Sequence, residues 1–165
     1  MALSQTEFNE LVDAHGAVLY RMAYRLTGDR HEAEDVVQET FRSAWSSRRL
    51  YQPGRGGRAW LVAILRRRAA DRWRARPRNV VYGDLSLETN AAAGQRAEQG
   101  YTDEVQRALQ KLPDVLREAL LLVVVGELTH QEAAEVLEVP LGTVLSRVSR
   151  ARSRMRQYLL SAAQP

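Results

Sequence analysis

Leu128 to Met155 reads LTHQEAAEVLEVPLGTVLSRVSRARSRM, and this stretch decides how the rest of the chain is interpreted. It opens on Thr129 with Glu132 three residues later, a spacing typical of a capping box at the start of a helix. Pro140 then interrupts the helical pattern, because proline cannot continue a helix, and the nearby Gly142 tolerates a tight turn. The stretch therefore predicts two helices joined by a short turn.

The second of these helices has an apolar side and a polar side. Val144, Val148, Ala151 and Met155 recur at helical spacing, which places them on one face. No acidic residue occurs from Leu141 to the C-terminus. The opposite face holds Ser146, Ser149, Arg150 and Ser153, flanked by Leu145, Arg147, Arg152, Arg154 and Arg156. A basic second helix after a tight turn is typical of a helix-turn-helix that enters a DNA major groove. The alternative is an ordinary helical hairpin with a solvated arginine-rich face.

Positive charge is concentrated in a second place. The 165 residues carry a formal net charge of +4, and arginine supplies all basic residues except Lys111. From Arg42 to Arg78 there are twelve arginines and a single acid, Asp71. Such a block is typical of a polyanion site, although a solvated face or the codon usage of a GC-rich genome would also produce it.

The residues that would support catalysis or metal binding are scarce. There is no cysteine, and His15, His31 and His130 lack the spacing of metal ligands. Neither a glycine-rich phosphate loop nor a nucleophile elbow occurs. We therefore expect no enzyme activity, no cofactor and no metal. Since no signal peptide or membrane-spanning run is visible, we expect a cytoplasmic protein without membrane insertion.

The N-terminal part of the chain predicts two helices that start at polar caps. Ser4 and Asp29 each precede a glutamate by three residues, the spacing of a capped helix start. On the second helix, four polar residues at relative positions 0, 3, 4 and 7 share one face. They are Asp35, Gln38, Glu39 and Arg42.

A loop by composition, Tyr51 to Gly57, precedes the arginine-rich helix. Trp60, Arg67, Asp71 and Arg74 fall along one side of that helix. An aromatic ring among cations suits single-stranded nucleic acid, because bases stack on rings while charge follows the backbone. For Trp60, packing in the core is an equally good interpretation.

The remainder of the chain predicts a linker and further helices. Residues 79–100 show no sustained period and read as a flexible linker. After Pro113 comes the run LLLVVV, which could be a buried strand, although its proline start favours a buried helix. The prediction is an all-α protein of two small helical domains. We assign residues 1–76 to the N-terminal domain, 77–100 to the linker and 101–165 to the C-terminal domain.

Two separate stretches also resemble one family. The first comprises Asp35-Val36-Val37-Gln38-Glu39-Thr40-Phe41, then Trp60-Leu61, Ile64, Asp71 and Arg74. The second comprises Leu112-Pro113, Arg117, Thr129, Ala133-Ala134, Val139-Pro140, Gly142-Thr143-Val144, Ser146-Arg147 and Arg150-Ala151. In this order, and over nearly the whole chain, they resemble the promoter-melting and −35-reading domains of extracytoplasmic function (ECF) sigma factors.

The resemblance implies partners and site residues. Core RNA polymerase would be contacted at its β′ clamp and β flap, with Asp35, Gln38, Glu39 and Arg42 docking on the clamp. The melted −10 strand, with one base flipped out, would be held by Tyr51, Arg55, Trp60, Arg67, Asp71 and Arg74. The −35 major groove would be read by Thr143, Leu145, Ser146, Arg147, Ser149 and Arg150. An anti-sigma factor usually occludes these surfaces.

This chain departs from the family's pattern at two positions that face nucleic acid. Arg67 stands where members commonly have asparagine, and Leu145 where many have a basic residue. The resemblance therefore does not carry over a promoter sequence. Two further functions compete with that of a promoter-specific sigma subunit. One is a sigma mimic that titrates an anti-sigma factor without binding DNA, and the other is a stand-alone helix-turn-helix regulator.

Overall fold

The computed structural model describes residues 2–75 and 95–164, and within these residues all regular structure is helical. Seven α-helices are described there: α1 Gln5–Thr27, α2 Arg30–Ser46, α3 Gly57–Ala75, α4 Gln95–Lys111, α5 Asp114–Val124, α6 His130–Leu137 and α7 Leu141–Ala162. Two short 3₁₀ turns, Arg48–Leu50 and Pro53–Arg55, lie between α2 and α3. The all-α prediction is confirmed, and the LLLVVV run belongs largely to α5 rather than to a strand.

The helix starts that the sequence predicts are confirmed. The capped pairs are Ser4 with Glu7, Asp29 with Glu32, and Thr129 with Glu132. In the Thr129 box, the Glu132 amide donates to Thr129 Oγ1 at 3.1 Å, and the Thr129 amide donates to Glu132 Oε2 at 2.9 Å. These bonds satisfy backbone amides that have no partner within the helix.

Two boundaries differ from the sequence prediction. Gly142 lies inside the first turn of α7 rather than in the connecting turn. The residue of the connecting turn that takes the left-handed conformation is Glu138, with φ 55°. The helix starts directly after Pro140, whose ring fixes a φ suited to this position. Helix α4 starts at Gln95, six residues before the predicted start at Tyr101. The predicted linker otherwise lies mostly outside the described residues.

Helices α1–α3, which we call the N-terminal region, pack against one another around a shared core. Leu19, Met22, Val36, Leu61 and Leu65 are fully buried there. Helices α4–α7, the C-terminal region, enclose a second set of buried residues. These are Leu121, Leu122, Val144, Val148 and Ala151, which lie on α5 and α7.

The two regions touch each other through apolar and polar contacts. Gly126, just after α5, lies against Met22 of α1. On α4, Gln106 donates from Nε2 to the backbone carbonyl of Arg25 at 3.0 Å, near the end of α1. The buried residues of both regions therefore form one continuous apolar cluster.

The approach at Gly126 leaves no room for a side chain, which gives a stability prediction. A Cβ there would lie 2.7 Å from the Leu122 carbonyl oxygen and 3.3 Å from Met22 Sδ. We expect Gly126→Ala to lower the free energy of unfolding by about 1–3 kcal/mol, the usual cost of overpacking. Urea unfolding followed by circular dichroism measures it.

Gly16→Ala is the matched control, since Gly16 lies within α1 and a Cβ there would meet no atom within 4 Å. It should stabilise the protein by about 0.5–1 kcal/mol, because alanine restricts the unfolded chain. Equal stability of Gly126→Ala and the wild type would contradict the packing argument.

Candidate nucleic-acid and partner interfaces

Helices α6 and α7 form the predicted helix-turn-helix. Val144 and Val148 are buried against the rest of the C-terminal region, and this fixes which side of α7 faces outward. Of the six residues predicted to face the −35 element, three are exposed: Leu145, Ser149 and Arg150. The other three are half-buried: Thr143, Ser146 and Arg147. The structure therefore places all six on one helix, with three of them at its outermost positions.

The four residues predicted to bind polymerase lie together on α2. Asp35, Gln38 and Arg42 are exposed and Glu39 is half-buried, while the opposite side of the helix is buried. On that buried side, Thr40 Oγ1 donates to the Val36 carbonyl at 2.7 Å, which satisfies the only buried polar side chain among the described residues. The polar face of α2 that the spacing predicts is present in the structure.

Arg72 of α3 also contacts this face, and the sequence analysis missed it. Its guanidinium donates to Glu39 Oε1 at 2.9 Å and to Asp35 Oδ2 at 3.4 Å. One planar guanidinium group therefore binds both carboxylates, which lie one helical turn apart. No spacing rule pairs residues on two different helices, so the sequence carries no signal for this contact.

Tyr51 and Trp60 are brought together at the start of α3. Their ring centroids lie 4.9 Å apart with a tilted geometry, and both side chains are half-buried. Trp60 packs against the apolar core, which confirms the packing interpretation of this residue, while its contact with nucleic acid stays a prediction. Arg55, in the turn between them, is exposed. One side of the aromatic pair thus packs against the protein, and the other side remains accessible to solvent.

Further along α3, Arg67, Asp71 and Arg74 are all exposed. The Asp71 carboxylate receives Arg74 Nη2 at 2.9 Å and lies 3.6 Å from Arg68 Nη1. Asp71 therefore orients two neighbouring guanidinium groups, and Arg67 remains at the surface one helical turn before it.

The C-terminal region engages two other arginines of α3. Arg58 Nη1 lies 2.8 Å from Glu127 Oε2, and Arg66 forms an ion pair with Glu118 of α5. Glu127 has φ 55°, a conformation that residues other than glycine adopt infrequently. The arginine block that the sequence suggests as one polyanion surface is thus divided, because part of it faces carboxylates of the same chain.

His15 of α1 lies close to this inter-region contact. Burial lowers its pKa below the ordinary value of 6.5, and the nearby Arg58 guanidinium adds to this effect, while Glu127 opposes it. A histidine with a lowered pKa in the folded state stabilises the fold above its unfolded pKa. That contribution is lost as the pH falls through the folded value.

Over residues 2–75 and 95–164, no group of three or more histidine, aspartate or glutamate side chains is arranged to hold a metal ion. None of the helices described there is long and apolar enough to cross a bilayer.

Both regions match family models of known proteins. Residues 11–79 match the family model of sigma-70 region 2, and residues 102–155 match that of sigma-70 region 4. The first match contains α2 and α3, and the second contains α6 and the first two thirds of α7. The chain thus contains a region 2 and a region 4 of the sigma-70 type.

Individual relatives show to which group of sigma factors the chain belongs. The chain is 36% identical over 143 residues to the ECF RNA polymerase sigma factor EcfG of Rhodopseudomonas palustris, covering 86% of this chain and 78% of EcfG. It is 37% identical over 165 residues to the ECF sigma factor SigE of Mycolicibacterium smegmatis, covering 92% of this chain but only 61% of SigE. The protein belongs to the ECF RNA polymerase sigma factors.

Solved structures agree with this assignment. CnrH, in complex with the cytosolic domain of CnrY, superimposes with a TM-score of 0.76 at 29% identity, covering 98% of this chain and 92% of that one. The sigma factor RpoE of Bartonella quintana, in complex with the anti-sigma factor NepR, gives 0.72 at 26% identity, with coverages of 96% and 99%.

The ion pairs between the two regions give a prediction about their contact. We call a chain closed when its two regions touch and open when they have separated. We expect Glu118→Gln with Glu127→Gln to raise the ratio of open to closed chains by up to about thirtyfold, since two such pairs are worth at most about 2 kcal/mol. Added salt should open the wild type and change the variant less. Because the chain has no cysteine, dyes attached through Asn9→Cys and Ser161→Cys can report the distance by energy transfer.

Asp103→Asn with Glu104→Gln is the control, because both residues are exposed acids of the C-terminal region. This control should respond to salt as the wild type does. If the Glu118 and Glu127 variant kept the wild-type distance and salt response, these pairs would not hold the regions together.

Proposed function

We propose that the protein is the sigma subunit that binds core RNA polymerase and directs transcription from promoters with specific −35 and −10 elements. The observation that carries this proposal is the pairing, in one chain, of a helix-turn-helix whose second helix has no acid with an aromatic and arginine face on α3. Either surface alone would suit a simpler DNA-binding protein. Together they suit a protein that reads a duplex at one site and a separated strand at another.

At the −35 element, we assign the duplex contacts to α7. Its first half enters the major groove, where Thr143, Ser146 and Ser149 offer hydroxyl groups to base edges and phosphates. Arg150, at an exposed position, reaches a base or a phosphate, and Arg147 on the flank reaches phosphates. The absence of acids along this helix supports the assignment, because no carboxylate repels the DNA backbone.

At the −10 element, we assign the separated strand to the start and outer face of α3. A base released from the duplex stacks at the edge of the Tyr51 and Trp60 pair, while Arg55, Arg67 and Arg74 follow the phosphates. Asp71 keeps the Arg74 guanidinium in place for this contact. Stacking on an aromatic ring tolerates any base, so the loop between the rings supplies the selectivity.

Strand separation requires more free energy than these side chains supply. Opening costs about 1.4 kcal/mol for each stacked step, whereas a base stacked on an aromatic ring returns about 1–3 kcal/mol. One flipped base therefore does not compensate for several broken steps. We assign the remaining free energy to polymerase contacts made through Asp35, Gln38, Glu39 and Arg42.

Control by an anti-sigma factor is part of the proposal. Its support is the solved relative RpoE, which was crystallised with the anti-sigma factor NepR. An anti-sigma factor that covers the α2 face or α3 would block polymerase and strand binding together. Since the proposed partners are polymerase and chromosomal DNA, we place the protein in the cytoplasm.

Transcription with purified components tests the function. Core polymerase with this protein should start transcripts at defined sites on genomic DNA, and neither component alone should do so. Asp35→Ala with Glu39→Ala should abolish these transcripts by weakening core binding, because charged pairs that lose a partner cost about 2–5 kcal/mol. Core affinity is measured by fluorescence anisotropy.

The control replaces two other exposed acids, Glu10→Ala with Asp13→Ala on α1, and should retain core binding. Wild-type affinity of the Asp35 and Glu39 variant would rule out the α2 face as the polymerase site. Failure of the wild type to start specific transcripts, despite binding an anti-sigma factor, would instead favour a sigma mimic.

Trp60 gives a separate prediction about the order of events. Trp60→Ala should leave duplex binding at the −35 element intact and prevent strand opening, because it removes the ring on which the base stacks. Trp60→Phe, which keeps a ring in contact with Tyr51, should restore part of the opening. Permanganate reactivity of −10 thymines reports opening with free protein, with core enzyme and with both. Reactive thymines with free protein, or normal opening by Trp60→Ala, would contradict the assignment.

A further inference from the structure

Helix α7 exposes apolar side chains on its outward face. Leu145 is 48% exposed and Leu141 is 41% exposed. The two lie four residues apart, so they are neighbours on one side of the helix. The apolar core of the region does not account for them, because it is filled from the same helix by Val144 and Val148, which are buried.

The surroundings of Leu145 favour a nucleic acid over an apolar protein surface. Ser149, one turn further on, is exposed, and so is Arg152, which lies two turns beyond Leu145 on the same side of the helix. No carboxylate occurs on α7. A small apolar patch, Leu141 with Leu145, on a helix that otherwise carries only positive charge suits a partner that is an anion overall and presents apolar groups at isolated points.

The DNA major groove is such a partner. Its base edges present hydrogen-bond donors and acceptors, and among the four bases thymine alone adds an apolar group, the 5-methyl. A leucine side chain has neither a donor nor an acceptor, so the group that it can select there is this methyl. Its place in the first part of the second helix matches the positions that contact bases in a helix-turn-helix.

We propose that Leu145 reads the 5-methyl group of a thymine in the −35 element. The inference rests on the proposed function, since it requires α7 to lie in the major groove. The chemistry of the leucine side chain thus assigns one base of the promoter, at a position where the family resemblance predicts no base. Leu141, beside Leu145 on the groove-facing side, limits the water that reaches this contact.

Replacing thymine by uracil tests the contact, because uracil keeps every hydrogen-bonding group and lacks only the methyl. Holoenzyme assembled from core polymerase and the full chain first selects −35 sequences from randomised promoter duplexes. Each thymine of the selected element is then replaced by uracil, one at a time on either strand. Affinity is measured for the wild type and for Leu145→Ala.

At one thymine, uracil should weaken wild-type binding about fourfold, the effect of removing one buried methyl group. At the same position, uracil should not affect Leu145→Ala. The matched control is Leu160→Ala, since Leu160 is an exposed leucine of the same helix, 61% accessible. It lies about 22 Å along the axis from Leu145. Leu160→Ala should show the wild-type sensitivity to uracil.

A gain-of-contact variant gives an independent measurement. Leu145→Arg replaces the apolar surface with a donor fork that fits the two acceptors of guanine. Repeated selection should then replace the thymine with guanine at that position and leave the rest of the element unchanged.

The outcomes separate this inference from the proposed function. If every uracil substitution affects the wild type and Leu145→Ala equally, or if Leu145→Arg keeps the thymine, the inference is overturned and duplex recognition stands. If the holoenzyme selects no −35 sequence, the proposed function itself fails.

Discussion

Pairing between arginine and carboxylate groups is the interaction that decides which positive charges of this structure remain exposed. Helix α3 carries Arg72, which holds two carboxylates of α2, and it carries Arg58 and Arg66, which meet Glu127 and Glu118. Adjacent arginines differ in their role because successive residues of a helix point about 100° apart. This arginine-rich helix is thereby linked to its own region and to the other one.

Helix α7 shows the opposite distribution of charge. It has no carboxylate, and its outward side keeps Arg150 beside Ser149 and the exposed Leu145. Its position depends on apolar packing instead, through Val144 and Val148. Burial fixes the orientation of the helix without using the polar side, and this leaves the whole outer face to a ligand.

Under the proposed function, the inter-region contact and the −10 strand both use arginines of α3. Glu118 and Glu127 neutralise two of its guanidinium groups, while Arg67 and Arg74 stay at the surface. Ion pairs at or near the surface, like these two, contribute little each and weaken with salt. The apolar contact between Met22 and Gly126 does not weaken in that way, so the two kinds of contact respond differently to solution conditions.

The sequence by itself determined the features that depend on near neighbours along the chain. The caps at Ser4, Asp29 and Thr129, the polar face of α2 and the two sides of α7 all follow from spacings within a few residues. The tertiary structure alone decided which charges meet, since Arg58 and Glu127 are 69 residues apart and Arg66 and Glu118 are 52 apart. It also decided that Trp60 rests on Tyr51. The physical reason is that helical periodicity fixes the direction of a side chain relative to its own helix, whereas the partner it meets depends on how whole helices pack.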